Sequence, residues 1–198
     1  SAASDVYKRQ PGTWDLPAPA LRGDLLHAPA CDDLAGVAAM LALLSRLSRK
    51  RSRAEVYCLF TRAEEVGFVG AIGATQSGLL DPSLPIVAIE TSKELPGVKI
   101  GGGPILRVGD RLSVFDPELT AFCGRVAEDL ARRRRFMFQR KLMDGGACES
   151  TAYLAYGYRA TGVCLALGNY HNMDGARVRI APEYISLADW RQMVDWFE

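Results

Sequence analysis

Four separate segments of the chain carry side chains suited to metal-assisted proton chemistry: Asp32-Asp33, Glu64-Glu65, Glu90 and His171. Gathered in one cleft, these carboxylates would repel one another strongly at low effective dielectric, and either protonation or a bound cation would have to relieve them. A cation is the economical answer. Carboxylate oxygen with imidazole nitrogen suits zinc, cobalt or manganese, and two such ions can share one bridging carboxylate while holding a water between them. One carboxylate must stay off the metal to take the proton of that water.

The elements predicted around these residues are the means of bringing them together. Ser1 to Pro29 reads as an irregular segment, with Pro11, Pro17, Pro19 and Pro29 blocking regular structure, and residues 30–198 read as one domain. From Asp33 onward, Leu34, Val37, Ala38, Leu41 and Leu44 recur at helical spacing, and Arg49, Lys50 and Arg51 follow where a helix C-terminus favours cations. Val56 to Phe60 and Ile86 to Ile89 are apolar runs of the kind found in strands covered on both faces. Between them Val66 to Gln76 predicts a short helix whose Gly67, Gly70 and Gly73 allow close packing on a sheet. Gly101-Gly102-Gly103-Pro104 breaks the chain; it lacks the Lys-Ser/Thr and helix start of a phosphate loop and reads as a tight turn.

A second long helix is marked by Leu119, Phe122, Cys123, Val126 and Leu130, followed by an alternating strand at Phe136 to Gln139 and a helix near Glu149 to Tyr156. A strand at Thr161 to Ala166 precedes a final helix beginning near Ser186, which forms a capping-box pattern with Asp189. Strands alternating with helices predict a three-layer αβα sandwich with a mostly parallel sheet, where ligands gather beyond the carboxyl ends of strands. Glu64-Glu65, Glu90 and His171 each come just after a predicted strand, and Asp32-Asp33 just before the first helix, where an aspartate can also cap.

Composition narrows the partners. A formal charge of +1 supplies no basic field for nucleic acid, and the longest apolar stretches fall short of the roughly 20 residues a membrane span needs. Five cysteines without a C-x-x-C pair suggest neither a disulfide framework nor a thiolate zinc site; Cys58 and Cys164 read as small buried hydrophobes, and a reducing, cytoplasmic setting fits. Arg132 to Arg135 reads as a solvated helix end, Asp110 and Asp144 as surface carboxylates, and Trp14, Trp190 and Trp196 as packing residues. Tyr153, Tyr156 and Tyr158 suit a core or an interface equally.

The strings CDDLAG, FTRAEEVGFVGA, VAIETS and GNYHN resemble the zinc-exopeptidase clan of co-catalytic metallo-aminopeptidases, dipeptidases and deacylases. Within it, Glu-Glu-Val-Gly-x-x-Gly-Ala most resembles the tetrahedral, or glutamyl (deblocking), aminopeptidase family, and the likeness runs from about Asp32 to the final helix. It implies two divalent ions, zinc first, with Asp32 bridging both and Asp33 joined to it through a strained, cis peptide, orienting neighbours. It further implies Glu64 as general base, Glu65 and His171 on one ion, and Glu90 on the other. Gly145-Gly146-Ala147 resembles a family segment near the substrate, where backbone N–H groups meet a carbonyl oxygen or carboxylate.

Two departures qualify the likeness. Many aminopeptidases of the clan carry aspartate at the Glu90 position, glutamate being commoner among its deacylases, so a dipeptidase or N-acyl amino acid deacylase is the nearest rival activity. The family also has a histidine upstream of the bridging aspartate, whereas this chain has only His27, read as a loop residue, and His171. The expectation is therefore a catalytic fragment of a homo-oligomeric, peptide-cleaving protein, incomplete at the N-terminus, with residues 1–10 not necessarily native. The rival outside catalysis is a scaffold relative binding one metal or none.

Overall fold

The computed structural model describes residues 13–198; the expectations for residues 1–10 and for Pro11 lie outside the described residues. The central sheet has the order β3-β6-β4-β5, from β3 (Ile86–Lys93), β4 (Ile105–Asp110), β5 (Gln139–Met143) and β6 (Ala160–Leu167). β3 runs parallel to β6 and β4 parallel to β5, with one antiparallel pairing where β4 meets β6. β6 is buried along its whole length, as a central strand with both faces covered should be.

The side chains of β6 alternate between two layers. Val163, Leu165 and Leu167 face α1 (Cys31–Lys50), α3 (Pro117–Arg133) and α5 (Leu187–Phe197), meeting Ala35, Ala39, Ala127, Met193 and Trp196. Cys164 and Ala166 face the opposite side with Ile105 and Met143, and Ala160 there joins α2 (Val69–Gln76) and α4 (Glu149–Ala155) through Ala71, Ala152 and Tyr153. The mixed, largely parallel αβα sandwich is thus the one expected.

Several expectations are corrected. The helix α1 forms, but its buried face is Ala35, Gly36, Ala39 and Leu43, while Leu34 and Leu41 stay exposed. Small residues let the helix axis approach β3, and Leu34 lines an apolar cavity of about 500 Å³ together with Leu26, Ile185 and Trp190. Val56 to Phe60 joins no ladder among the described residues, and Val56, Tyr57, Leu59 and Phe60 are exposed. An apolar run signals capacity for burial; whether a neighbour strand lies alongside is a tertiary matter.

The stretch between Pro19 and Pro29 is not irregular but a hairpin, β1 (Ala20–Arg22) and β2 (Leu25–Ala28), turning at Gly23 with φ +61° and pairing with β9 (Glu183–Ser186). His27 therefore lies on a strand, opposite Tyr184, with ring centroids 5.0 Å apart. A short pair, β7 (Met173–Asp174) and β8 (Arg179–Ile180), precedes β9.

β4 was not predicted, because Arg107 interrupts the apolar run of Ile105-Leu106. The expected Phe136 to Gln139 strand begins only at Gln139, and Phe136 and Phe138 instead pack edge-on against Trp196. Trp190 packs and donates to the Ala35 carbonyl at 3.0 Å, but Trp14 is exposed. Tyr153 and Tyr158 are core; Tyr156 is on the surface. Gly67 and Gly70 meet close-packing or left-handed needs, whereas Gly73 faces open space.

Asp110 is not a surface carboxylate. It is buried, accepting from Leu112 N and Ser113 N through one oxygen and from Cys148 N and the Thr151 hydroxyl through the other, which fastens α4 to the end of β4.

The Ser186 hydroxyl caps α5 by accepting from Asp189 N at 3.1 Å, as the capping-box pattern predicts. The Asp189 carboxylate does not reciprocate. Buried, it accepts instead from Gly101 N at 2.7 Å and Gly103 N at 2.8 Å, holding the glycine turn whose Gly103 sits at φ +89°. Losing two hydrogen bonds to a charged acceptor, at about 1.5 kcal/mol each, Asp189→Ala should lower unfolding stability by about 3 kcal/mol. A urea titration with unchanged slope checks this. A midpoint within error of the parent would show that the turn is held by other contacts.

Candidate metal centre

Asp32, Glu65 and His171 meet near the start of α1, beyond the carboxyl end of β6. Asp32 and Asp33 fall within the first turn of α1 but with non-helical backbone, and the peptide between them is cis. Asp33 is drawn back over the helix: its Oδ1 accepts from Gly36 N at 3.1 Å, and a side chain at Gly36 would fall on this carboxylate and on Ile89. Capping and the closeness of α1 to β3 thus depend on the same glycine. Asp32 N donates to Glu183 at 3.0 Å, tying this turn to β9.

Glu64 and Glu65 sit on a tight loop. Ala63 is left-handed at φ +59°, Gly67 N and Phe68 N both return to the Glu64 carbonyl, and Gly70 N donates to the Arg62 carbonyl. A Cβ at Gly70 would lie 2.5 Å from that carbonyl oxygen, so Gly-x-x-Gly after the glutamates is the backbone clearance this loop requires. His171 is also left-handed, at φ +54°, between left-handed Asn169 and Asn172, and its ring stacks on Tyr170 with centroids 3.8 Å apart.

Three of the expected ligands come together. His171 Nε2 lies 3.4 Å from Glu65 Oε1 and 3.9 Å from Asp32 Oδ2, and one donor atom from each residue falls within 4.8 Å of the others. Two carboxylate oxygens and an imidazole nitrogen converging this way fit one divalent cation. Glu90 is not in that group. It lies inside β3 rather than at its end, and its carboxylate is bound by the buried guanidinium of Arg107. Gly145 and Gly146 line a cavity of about 100 Å³ with Glu90, Lys93, Arg107 and Tyr170, adjacent to this pair.

The electrostatics are those of a site short of positive charge. Burial, then the Glu65 and Glu183 carboxylates, push Asp32 up to about 6. Burial, then Glu65, Asp32 and Glu149, push Glu64 up to about 7, and burial followed by Asp32 holds Asp33 well above the usual carboxylate range. Carboxyl groups raised in the folded state keep protons that the unfolded chain releases near pH 4. Without metal, stability should therefore fall as pH rises from about 5 to above 7. The thermal midpoint in chelator is expected to be lower at pH 7.5 than at pH 5.5, and zinc should raise it more at pH 7.5. The reverse order, measured by scanning fluorimetry, would mean that these carboxylates are not crowded in the folded protein.

Reasoning from the sequence missed Arg107 and Glu183, though a lone arginine between Leu106 and Val108 was a detectable anomaly. Glu183 follows Ala181-Pro182 without any pattern that marks it.

A model of the M42 glutamyl aminopeptidases matches residues 5–179. The chain belongs to the M42 glutamyl aminopeptidase family. This M42 chain is 30% identical over 135 residues to a curated Acetivibrio thermocellus protein with aminopeptidase in its name, covering 65% of this chain and 38% of the relative. The TET1 peptidase of Pyrococcus horikoshii shares the fold at TM-score 0.76 with 21% identity, over 91% of this chain and 51% of that one. An aminopeptidase of Desulfurococcus kamchatkensis does so at TM-score 0.71 with 23% identity, over 90% and 49%. The M42 chain thus spans about half the length of these structures, and less of the curated relative. M42 enzymes are metal-dependent, in keeping with the donor set.

Proposed function

We propose that this chain carries the metal-holding, base-bearing part of an aminopeptidase that releases residues from the N-terminus of peptides. The observation that carries it is the convergence of Asp32, Glu65 and His171 beside Glu64. Zinc is the proposed occupant, cobalt and manganese being compatible with the same donors. The second ion implied by the resemblance would need Glu90 as a ligand.

A divalent cation held by Asp32, Glu65 and His171 would supply an acidified water and a polarised substrate carbonyl. Glu64, half-buried and not among the convergent donors, is placed to take a proton from the attacking water on a carboxylate oxygen as the new O–C bond forms at the scissile carbonyl carbon, and to return it to the amine nitrogen as the C–N bond breaks. Asp33, fixed by Gly36 N, positions the Asp32 side of the site. The backbone of Gly145 and Gly146 meets a carbonyl oxygen or carboxylate of the peptide in the neighbouring cavity.

Pyrococcus horikoshii TET1 can assemble into a tetrahedron or a large octahedral shell, which supports a homo-oligomer for the whole protein. The cysteines are free thiols, and no described helix is long and apolar enough to cross a membrane. The proposed setting is cytoplasmic and the proposed partner a peptide, a formal charge of +1 supplying no basic field for nucleic acid.

The test compares aminoacyl-p-nitroanilides with N-acetyl amino acids as substrates of the whole protein, with and without chelator. Chelator-sensitive release of nitroaniline is expected. Preferential deacetylation would move the activity to the deacylases, and no turnover with bound metal would favour the scaffold reading.

A further inference from the structure

Among the described residues, Arg107 is the one buried cation at the sheet edge where the carboxylates gather, 2% exposed and carried on β4. Its side chain crosses β6 at Gly162, whose absent Cβ leaves the room: a methyl group there would lie 3.2 Å from the Arg107 Cδ and 3.2 Å from the Phe115 ring. The Arg107 Nη1 reaches the Glu90 carboxylate on β3 and donates to the Ser92 hydroxyl at 3.1 Å. Register makes this a built feature, since Arg107 lies opposite Gly162 and Glu90 opposite Cys164 on the same face of the sheet.

We propose that this site takes one divalent cation, held by Asp32, Glu65 and His171, and that the Arg107 guanidinium stands as its second positive charge, with Glu90 as counter-ion rather than metal ligand. A guanidinium keeps its charge at any physiological pH, so it occupies the electrostatic place of a cation permanently. A divalent ion ligated by Glu90 would have to share that carboxylate with Arg107, which has no other carboxylate partner among the described residues. That would set a second positive charge against a buried guanidinium that already neutralises the ligand. The inference rests on the metal-site reading of the proposed function and deepens it by fixing the number of ions.

The test is equilibrium dialysis of the whole protein against zinc chloride followed by elemental analysis. One equivalent per chain is expected. In manganese-loaded protein the paramagnetic resonance spectrum should be that of isolated ions, without exchange coupling. The double variant Arg107→Met/Glu90→Leu replaces the buried pair by apolar side chains of similar size, an exchange that buried ion pairs often tolerate, and it should retain that one equivalent. Two equivalents in the parent, coupled manganese spectra, or loss of an equivalent in the double variant would overturn the inference while leaving the metallo-aminopeptidase reading in place. A parent protein that retains no zinc would overturn both.

Discussion

Glu64→Gln should leave metal content unchanged and reduce hydrolysis of aminoacyl-p-nitroanilides by about 10²- to 10⁴-fold, the range a positioned general base contributes. The substitution keeps the shape of the side chain and removes only its ability to take a proton. Glu64 is suited to that task because its surroundings disfavour the charged form: burial and the neighbouring Glu65, Asp32 and Glu149 carboxylates lift it to about 7. A carboxyl group with such a balance can accept a proton in one half of the reaction and release it in the other. The control is elemental analysis on the same preparation. Turnover within a few-fold of the parent at full metal content would remove Glu64 from this role.

Asp32→Asn should have the opposite signature. Asp32 is the least exposed of the three convergent donors, and both its neighbours in the cluster approach it from solvent-exposed positions. Replacing its charged oxygen should weaken zinc binding by more than the roughly 10- to 100-fold typical of changes outside the ligand set itself, with activity lost in proportion. Yet the metal-free variant should be more heat-stable than metal-free parent at pH 7.5, because one of the crowded carboxylates has been neutralised. Gain of apo-protein stability together with loss of metal affinity marks a ligand. Loss of both would mark the Asp32 carboxylate as a structural group rather than a ligand.

The candidate site was legible wherever chemistry and local clearance coincide in short strings. Glu64-Glu65 followed by Val-Gly-x-x-Gly could be read because Gly70 must clear the Arg62 backbone, and Asp32-Asp33-x-x-Gly because Gly36 must lie beneath the Asp33 carboxylate. His171 carried a weaker local signal, its left-handed backbone being set by the loop between β6 and β7. Glu90 was found as a residue, but its partner was not, since Arg107 lies 17 positions away and the strand that delivers it was unrecognised.

By itself, then, the order of apolar runs and helical periods determined that strands alternate with helices, that a sheet is sandwiched between them, and that a set of carboxylates and one histidine belongs to its edge. Periodicity is local, and it reports which side chains can be buried together on one element. Tertiary structure alone decided which face of α1 is buried, that Val56 to Phe60 lacks a described partner, that residues 20–28 form a hairpin on β9, and that Glu90 meets Arg107. Each of those outcomes depends on what another, distant segment presents at short range. A buried charge in particular is settled only by the group that faces it, and no spacing along the chain encodes that.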